Sequence, residues 1–260
     1  MVAPSFPNAP DQVAAFMYGA RIANVRRRAK LLLIDLSSGY TLAVHLKMTG
    51  QLVYVGSKDE RFGAGHPNES LIRALPDAST RASLGFDEGG WLYFNDQRKF
   101  GWMQLLPTAQ VPEMPFMRTV GPEPLEDSFT PEQFAARFAR RARTSIKAAL
   151  LDQTVVAGIG NIYADESLWR ARIDPRRKVG SLTPQELTQL YHAVRECMNL
   201  SIAKGGSTDK NYVNAEGGRG QYLDHAWVFR RDGQPCPRCS HDIKIKHAGR
   251  GTHLCPQCQV

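Results

Sequence analysis

The chain has 260 residues, 42% hydrophobic and 22% charged, the balance of an ordinary globular protein with room for one large domain or two medium ones. It has no apolar run long enough to span a bilayer and no basic-then-apolar opening segment. Membrane and secreted classes are therefore set aside, and a cytoplasmic, nucleoid-associated location is expected. A net charge of +8 and a pI of about 9.4 favour a polyanionic partner, nucleic acid first, over a merely basic soluble protein.

In chain order, the first hundred residues read mainly as short strands. Leu31 to Leu36 and Thr41 to Leu46 are apolar runs separated by the turn-like Ser37-Ser38-Gly39. Gln51 to Val55 and Trp91 to Phe94 continue the pattern, the latter after a Gly89-Gly90 turn. Gly63 to Pro76 reads as a loop, and strands at this spacing imply a β-sandwich or barrel-like sheet. Pro107 to Pro124 is Pro-rich and irregular, the composition of a linker. Helices follow, which makes the fold class α+β. Thr130-Pro131-Glu132-Gln133 is a capping box opening a helix towards Arg143, and Ser145 to Asp152 is a second helical segment. After the Gly158-Ile159-Gly160-Asn161 turn, Ile162 to Arg172 is a third. Thr183-Pro184-Gln185-Glu186 opens a long helix that stops at Gly205-Gly206. Leu187, Leu190, Val194, Cys197 and Met198 share one face of it, which makes Cys197 a core residue and not a ligand.

Residues 205–221 are Gly-rich, polar and too long for a simple turn, and Trp227 to Gln259 reads as a hairpin with a cysteine pair at each end. Basic residues cluster at Arg26 to Lys30, Arg137 to Lys147, Arg170 to Lys178 and Arg230 to Arg250, which suits a long groove better than one small anion.

Four of the five cysteines form two Cys-x-x-Cys pairs, Cys236 with Cys239 and Cys255 with Cys258, with fifteen residues between the pairs. This is the spacing of a zinc ribbon: each turn presents two thiolates, and four soft sulfurs complete a tetrahedron with no open position. One structural Zn2+ is expected. Two disulfides are the competing reading, which the lack of a signal sequence and the size of the remaining chain oppose.

The run from Cys236-Pro-Arg-Cys239 through Gly249-Arg250-Gly-Thr-His-Leu-Cys255-Pro-Gln-Cys258-Gln259 resembles the C-terminal finger of the formamidopyrimidine-DNA glycosylases. Leu151-Asp152-Gln153 followed by Val155 to Glu166 resembles that family's helix–two-turns–helix, and Gly121-Pro122-Glu123-Pro124-Leu125 its interdomain junction. His45-Leu46-Lys47-Met48-Thr49-Gly50 and Asn95-Asp96-Gln97-Arg98-Lys99-Phe100-Gly101 resemble its N-terminal domain, so the likeness runs from about Arg26 to the end. It implies a β-sandwich-like domain over 1–107, incomplete at its start, and a linker over 108–124. A helix–two-turns–helix domain over 125–222 and a four-cysteine finger over 223–260 follow.

The resemblance further implies a monomeric base-excision repair enzyme, a DNA glycosylase with AP lyase activity. Its partner would be double-stranded DNA carrying oxidised purines (8-oxoguanine, formamidopyrimidines) or abasic sites. Met48, Arg98 and Phe100 match the residues that fill the void left by a flipped base, and this set favours the oxidised-purine branch. Asn161 and Arg250 match phosphate contacts, and Lys147 and Glu166 match family positions, Lys147 counting among the DNA contacts. Lys30 matches the strand lysine assigned to phosphate contact and elimination, so Lys30 and Arg250 are the catalytic candidates. Residues 206–222 correspond to the segment that closes over the flipped base.

The family opens on a proline whose amine attacks the sugar C1′, followed by an acid/base glutamate. This chain begins Met1-Val2-Ala3-Pro4, and Ser79-Thr80-Arg81 stands where the family has a histidine. Three readings stay open: a truncated or mis-started active enzyme, a catalytically inactive damaged-DNA-binding protein, or lyase chemistry by a substitute amine such as Lys30.

Overall fold

The computed structural model describes residues 5–58, 60–65, 70, 72–207, 220–248 and 250–260, apart from the side chains of His247, Ala248 and Arg250. The chain divides into two compact units, residues 1–118 with 208–220 and residues 119–207 with 221–260.

The first unit carries β1 (Ile22–Arg28), β2 (Leu31–Leu36), β3 (Tyr40–His45), β4 (Gly50–Val55), β5 (Arg61–Gly65), β6 (Thr80–Gly85), β7 (Trp91–Asp96) and β8 (Trp102–Pro107). They form two antiparallel sheets, ordered β1-β2-β3-β8 and β5-β4-β7-β6. The period-2 alternation of β2 explains the layering. Leu32, Ile34 and Leu36 meet Leu52, Ala82, Leu84 and Phe94 of the second sheet. Leu31 and Leu33 face the other way, onto Val111, Met114 and Phe116. These last residues come from the stretch read as an irregular linker. It forms a 3-10 turn over Thr108–Glu113 and the short helix α2 (Pro115–Thr119), which together cover the outer face of the first sheet.

The N-terminal stretch, where no helix is expected, forms α1 (Pro10–Met17) with a proline in its first turn. Phe16 and Met17 join the inter-sheet core, and Phe16 stacks on Tyr40 with ring centroids 3.7 Å apart. Ahead of the helix, Asn8 pairs with the backbone of Leu105 in both directions, at 2.7 and 2.8 Å. β1 also escapes sequence reading: Ile-Ala-Asn-Val-Arg-Arg-Arg is an exposed edge strand with no apolar alternation, held by its ladder to β2 and an Arg26–Asp35 ion pair at 2.7 Å. β5 ends at Gly65, and residues 66–69 and 71 of the expected loop lie outside the described residues.

The second unit holds α3 (Pro131–Ala139), α4 (Ile146–Leu151), α5 (Asn161–Arg170) and α6 (Pro184–Ala203). Both capping boxes form, Thr130 with Gln133 and Thr183 with Glu186. α3 stops short of the expected Arg143 because Phe134 and Phe138 are buried while Arg140 to Arg143 have nothing apolar to bury. Phe134, Phe138, Ile146, Leu150, Leu168 and Val194 centre the core. Gly121 donates its N–H to Gln153 O at 2.7 Å; a Cβ there would lie 2.8 Å from the Val155 backbone, so only glycine lets the two segments meet. β9 (Lys244–Ala248) and β10 (Arg250–Leu254) form the C-terminal hairpin. Among the described residues, no helix is long and apolar enough to cross a membrane.

Candidate nucleic-acid interface and metal centre

The two cysteine turns meet at the base of the hairpin, and the four Sγ atoms of Cys236, Cys239, Cys255 and Cys258 all lie within 4.8 Å of one another. Cys239 and Cys255 are 3.5 Å apart and Cys236 and Cys258 3.9 Å. Four ligands about 2.3 Å from a central ion stand about 3.8 Å apart, so the sulfurs fit a tetrahedral metal site. Burial and the neighbouring sulfurs push the Cys258 thiol up to about 12. Cys236, against its burial, is drawn down to about 6 by the Arg238 and Cys239 N–H groups and the Trp169 indole. Four sulfurs this close do not all ionise without a cation between them. Cys197 is elsewhere, buried on α6, and burial pushes its thiol up to about 12, as suits an inert core residue.

α5 anchors this finger. The buried Glu166 carboxylate accepts the consecutive N–H groups of Trp227, Val228 and Phe229 at 2.8, 2.9 and 2.8 Å. Burial nonetheless raises its pKa, the three donors opposing the shift. Trp169 stacks on Trp227 at 5.4 Å and carries the Arg238 guanidinium 4.0 Å above its ring. Asp165 accepts the His253 N–H at 2.9 Å and pairs with Lys147 at 2.6 Å.

Lys147, expected among the DNA contacts, is instead 6% exposed. Its ammonium donates to Gly251 O and Thr252 Oγ1, both at 2.9 Å, so it supports the hairpin from within. Asn161 opens α5 behind Gly160 and donates its amide to the same Gly251 O at 3.0 Å. The first N–H groups of α5 have no intrahelical acceptor, as at any helix start, and suit an anion. Asn161 and the backbone of the residue after Arg250 are therefore brought together, while the Arg250 side chain lies outside the described residues. The same holds for residues 208–219 of the expected closing segment.

In the first unit, the β3–β4 and β7–β8 turns bring Met48, Arg98 and Phe100 together. Met48 and Phe100 are 53% and 47% exposed and both lie against Arg98, so they form a small exposed apolar group. Arg98 bridges them: its Nη1 is 3.6 Å from Met48 Sδ and its guanidinium 4.7 Å from the Phe100 ring centre. Each turn includes one residue in the left-handed region, Lys47 at φ 50° and Lys99 at φ 58°. Gly50 closes the first turn with an N–H to Leu46 O at 2.8 Å. Beneath the two turns the buried carboxylate of Asp96 accepts the Thr49 hydroxyl, the Arg98 N–H at 3.2 Å and the Gly101 N–H at 2.6 Å.

Lys30 is exposed in the β1–β2 turn, next to Leu31, which pairs with His45 in the sheet. His45 accepts the Lys47 N–H on Nδ1 at 3.0 Å. Burial, reinforced by the charges of Lys47 and Lys30, pushes its pKa down to about 4, so the ring is neutral near pH 7.

The chain thus carries, in order, a β-sandwich, a helical unit and a four-cysteine finger. Family models match the chain over residues 2–103 (formamidopyrimidine-DNA glycosylase N-terminal domain), 120–212 (formamidopyrimidine-DNA glycosylase H2TH domain) and 233–260 (zinc finger found in FPG and IleRS). The chain belongs to the formamidopyrimidine-DNA glycosylase family. It is 42% identical over 240 residues to the formamidopyrimidine-DNA glycosylase of Pelotomaculum thermopropionicum, covering 92% of this chain and 81% of that protein. Among solved structures, a complex of Lactococcus lactis Fpg with DNA containing an abasic site is 31% identical. Its TM-score is 0.84, over 99% of this chain and 89% of that one. A variant of that protein bound to Fapy-dG-containing DNA is 30% identical, with the same TM-score and coverage.

The first match begins at residue 2, well before Arg26, where the legible motifs start. The sequence gives Asp96, Thr49, Asp165 and His45 no role of their own. Their only signal there is polarity beside a motif; what sets them apart is burial, which sequence does not display.

Proposed function

We propose that the protein excises oxidised purines, 8-oxoguanine and formamidopyrimidines, from duplex DNA and nicks the strand at the resulting abasic site. The observation that carries this is the match to relatives whose solved complexes hold abasic-site and Fapy-dG DNA over 99% of this chain. The relatives bear the name formamidopyrimidine-DNA glycosylase or Fpg, which supports this reading over the non-catalytic alternative.

A base inside a duplex is unreachable until it is extruded, and the gap must then be filled. The exposed Met48 and Phe100 supply apolar surface for that gap, and Arg98 between them offers donors to the orphaned base. Asn161 with the α5 N–H groups, and Arg250, hold flanking phosphates, and Lys30 assists phosphate contact and elimination. One Zn2+ in the four-cysteine site supplies folding energy, not chemistry, because four thiolates leave no open position. The attacking amine is assigned to no described residue.

Cleavage of an end-labelled 8-oxoguanine·cytosine duplex after alkali is the test. Strand cleavage at the lesion is expected. Tight binding to abasic-site DNA with no cleavage at all would replace the proposal with the binding-only reading.

A further inference from the structure

Resting on the reading of Met48, Arg98 and Phe100 as the void-filling group, we infer that Asp96 is a positioning residue that locks the two turns bearing them into one rigid wedge, with Thr49 as its latch. Asp96 ends β7 opposite Gly50 in the ladder and is fully buried. One carboxylate oxygen accepts the Thr49 hydroxyl from the first turn and the Arg98 N–H from the second, at 3.2 Å for the latter. The other accepts the Gly101 N–H at 2.6 Å, fixing the far end of the second turn. The Arg98 N–H is shared with Thr49 Oγ1, also at 3.2 Å, which closes the connection between the turns. A Cβ on Gly101 would sit 3.0 Å from the carboxylate and 2.9 Å from Phe94, so the anchor is close-packed as well as hydrogen-bonded.

The chemistry explains why a carboxylate stands here. Two of its donors, the Arg98 and Gly101 N–H groups, are fixed by the backbone and the third is the Thr49 hydroxyl, so the two oxygens face donors on both sides. An amide in the same place would turn an NH2 towards the Gly101 or the Arg98 N–H, donor against donor. The wedge itself is built from exposed side chains that no core holds, so its rigidity comes from below. A wedge that must enter a stacked duplex loses effect when its tip shifts by about 1 Å.

The probe is a duplex with a tetrahydrofuran abasic-site analogue opposite 2-aminopurine, bound by the full chain; no catalysis is needed. Binding of the unaltered protein changes the 2-aminopurine fluorescence, and Met48→Ala loses most of that change. Asp96→Asn is expected to reduce it at least about threefold while affinity for undamaged duplex stays within about twofold. Thr49→Val should give an intermediate loss and Thr49→Ser restore it, which keeps the test usable if Asp96→Asn folds poorly. Adding Thr49→Val to Met48→Ala should cause no further loss. Unaltered signals in Asp96→Asn and Thr49→Val, with Met48→Ala impaired, would overturn the inference, as would fully additive losses. A normal signal in Met48→Ala would overturn the void-filling reading instead.

Discussion

His45 closes β3 with its ring 5.8 Å from Trp102 and 5.7 Å from Phe116, and the fold keeps it neutral. Its pKa in the folded state is about 4 against an ordinary 6.5, so between these values the unfolded chain binds the proton and the folded one does not. Stability therefore falls as pH drops from about 6.5 to about 4. Asp35, held down by its bond to Arg26, adds a loss only below 3.8. Urea midpoints at pH 7, 5.5 and 4.5 should decline in the native chain and decline less in His45→Asn, which keeps an acceptor for the Lys47 N–H. Equal slopes would mean that His45 does not titrate as described. Lys147 makes the second residue-scale case. Lys147→Met leaves Asp165 buried beside His253 without its cation, a change that costs about 3–5 kcal/mol. Chemical denaturation measures it directly, and a loss under about 1 kcal/mol would place the ammonium in water.

α5 fastens the finger along most of its own length. Its N-terminal turn bears Asn161 against the hairpin turn, and its middle bears Asp165 and Glu166, which bind backbone N–H groups of the finger. The hairpin is thus fastened at several points besides its four cysteines. A closed thiolate site still contributes folding energy of its own. One zinc per chain is expected, and Cys255→Ser should lower metal content and weaken binding to abasic-site DNA. Elemental analysis finding no zinc in protein purified without chelator would refute this. The elements easiest to read in sequence carry their signal within a few residues, as the Thr130 and Thr183 boxes do. β1 and α1 lack such a signal: β1 is an arginine-rich edge, and α1 is short and marked mainly by its proline.

At the scale of the whole molecule, the chain holds two units with separate cores and basic residues on both. Binding by several phosphate contacts releases counterions, so affinity for duplex DNA should fall steeply with salt. Arg250→Ala should weaken binding to all sequences and reduce the slope of log K against log[salt] by about one unit. An unchanged slope would remove Arg250 from the backbone contacts.

The finger's cysteine pairs and the two capped helices are legible from spacings of three residues and the strands from short apolar runs, whereas Met48, Arg98 and Phe100 stand out only through the family resemblance. That Lys147 turns inward to a hairpin 104 residues away, and that Asp96 takes a hydroxyl from 47 residues earlier, is visible only once the chain is folded. The physical reason is burial. A lysine or aspartate in a sequence has the chemistry of an exposed ion, and only the packing of distant segments replaces its water with specific donors and acceptors.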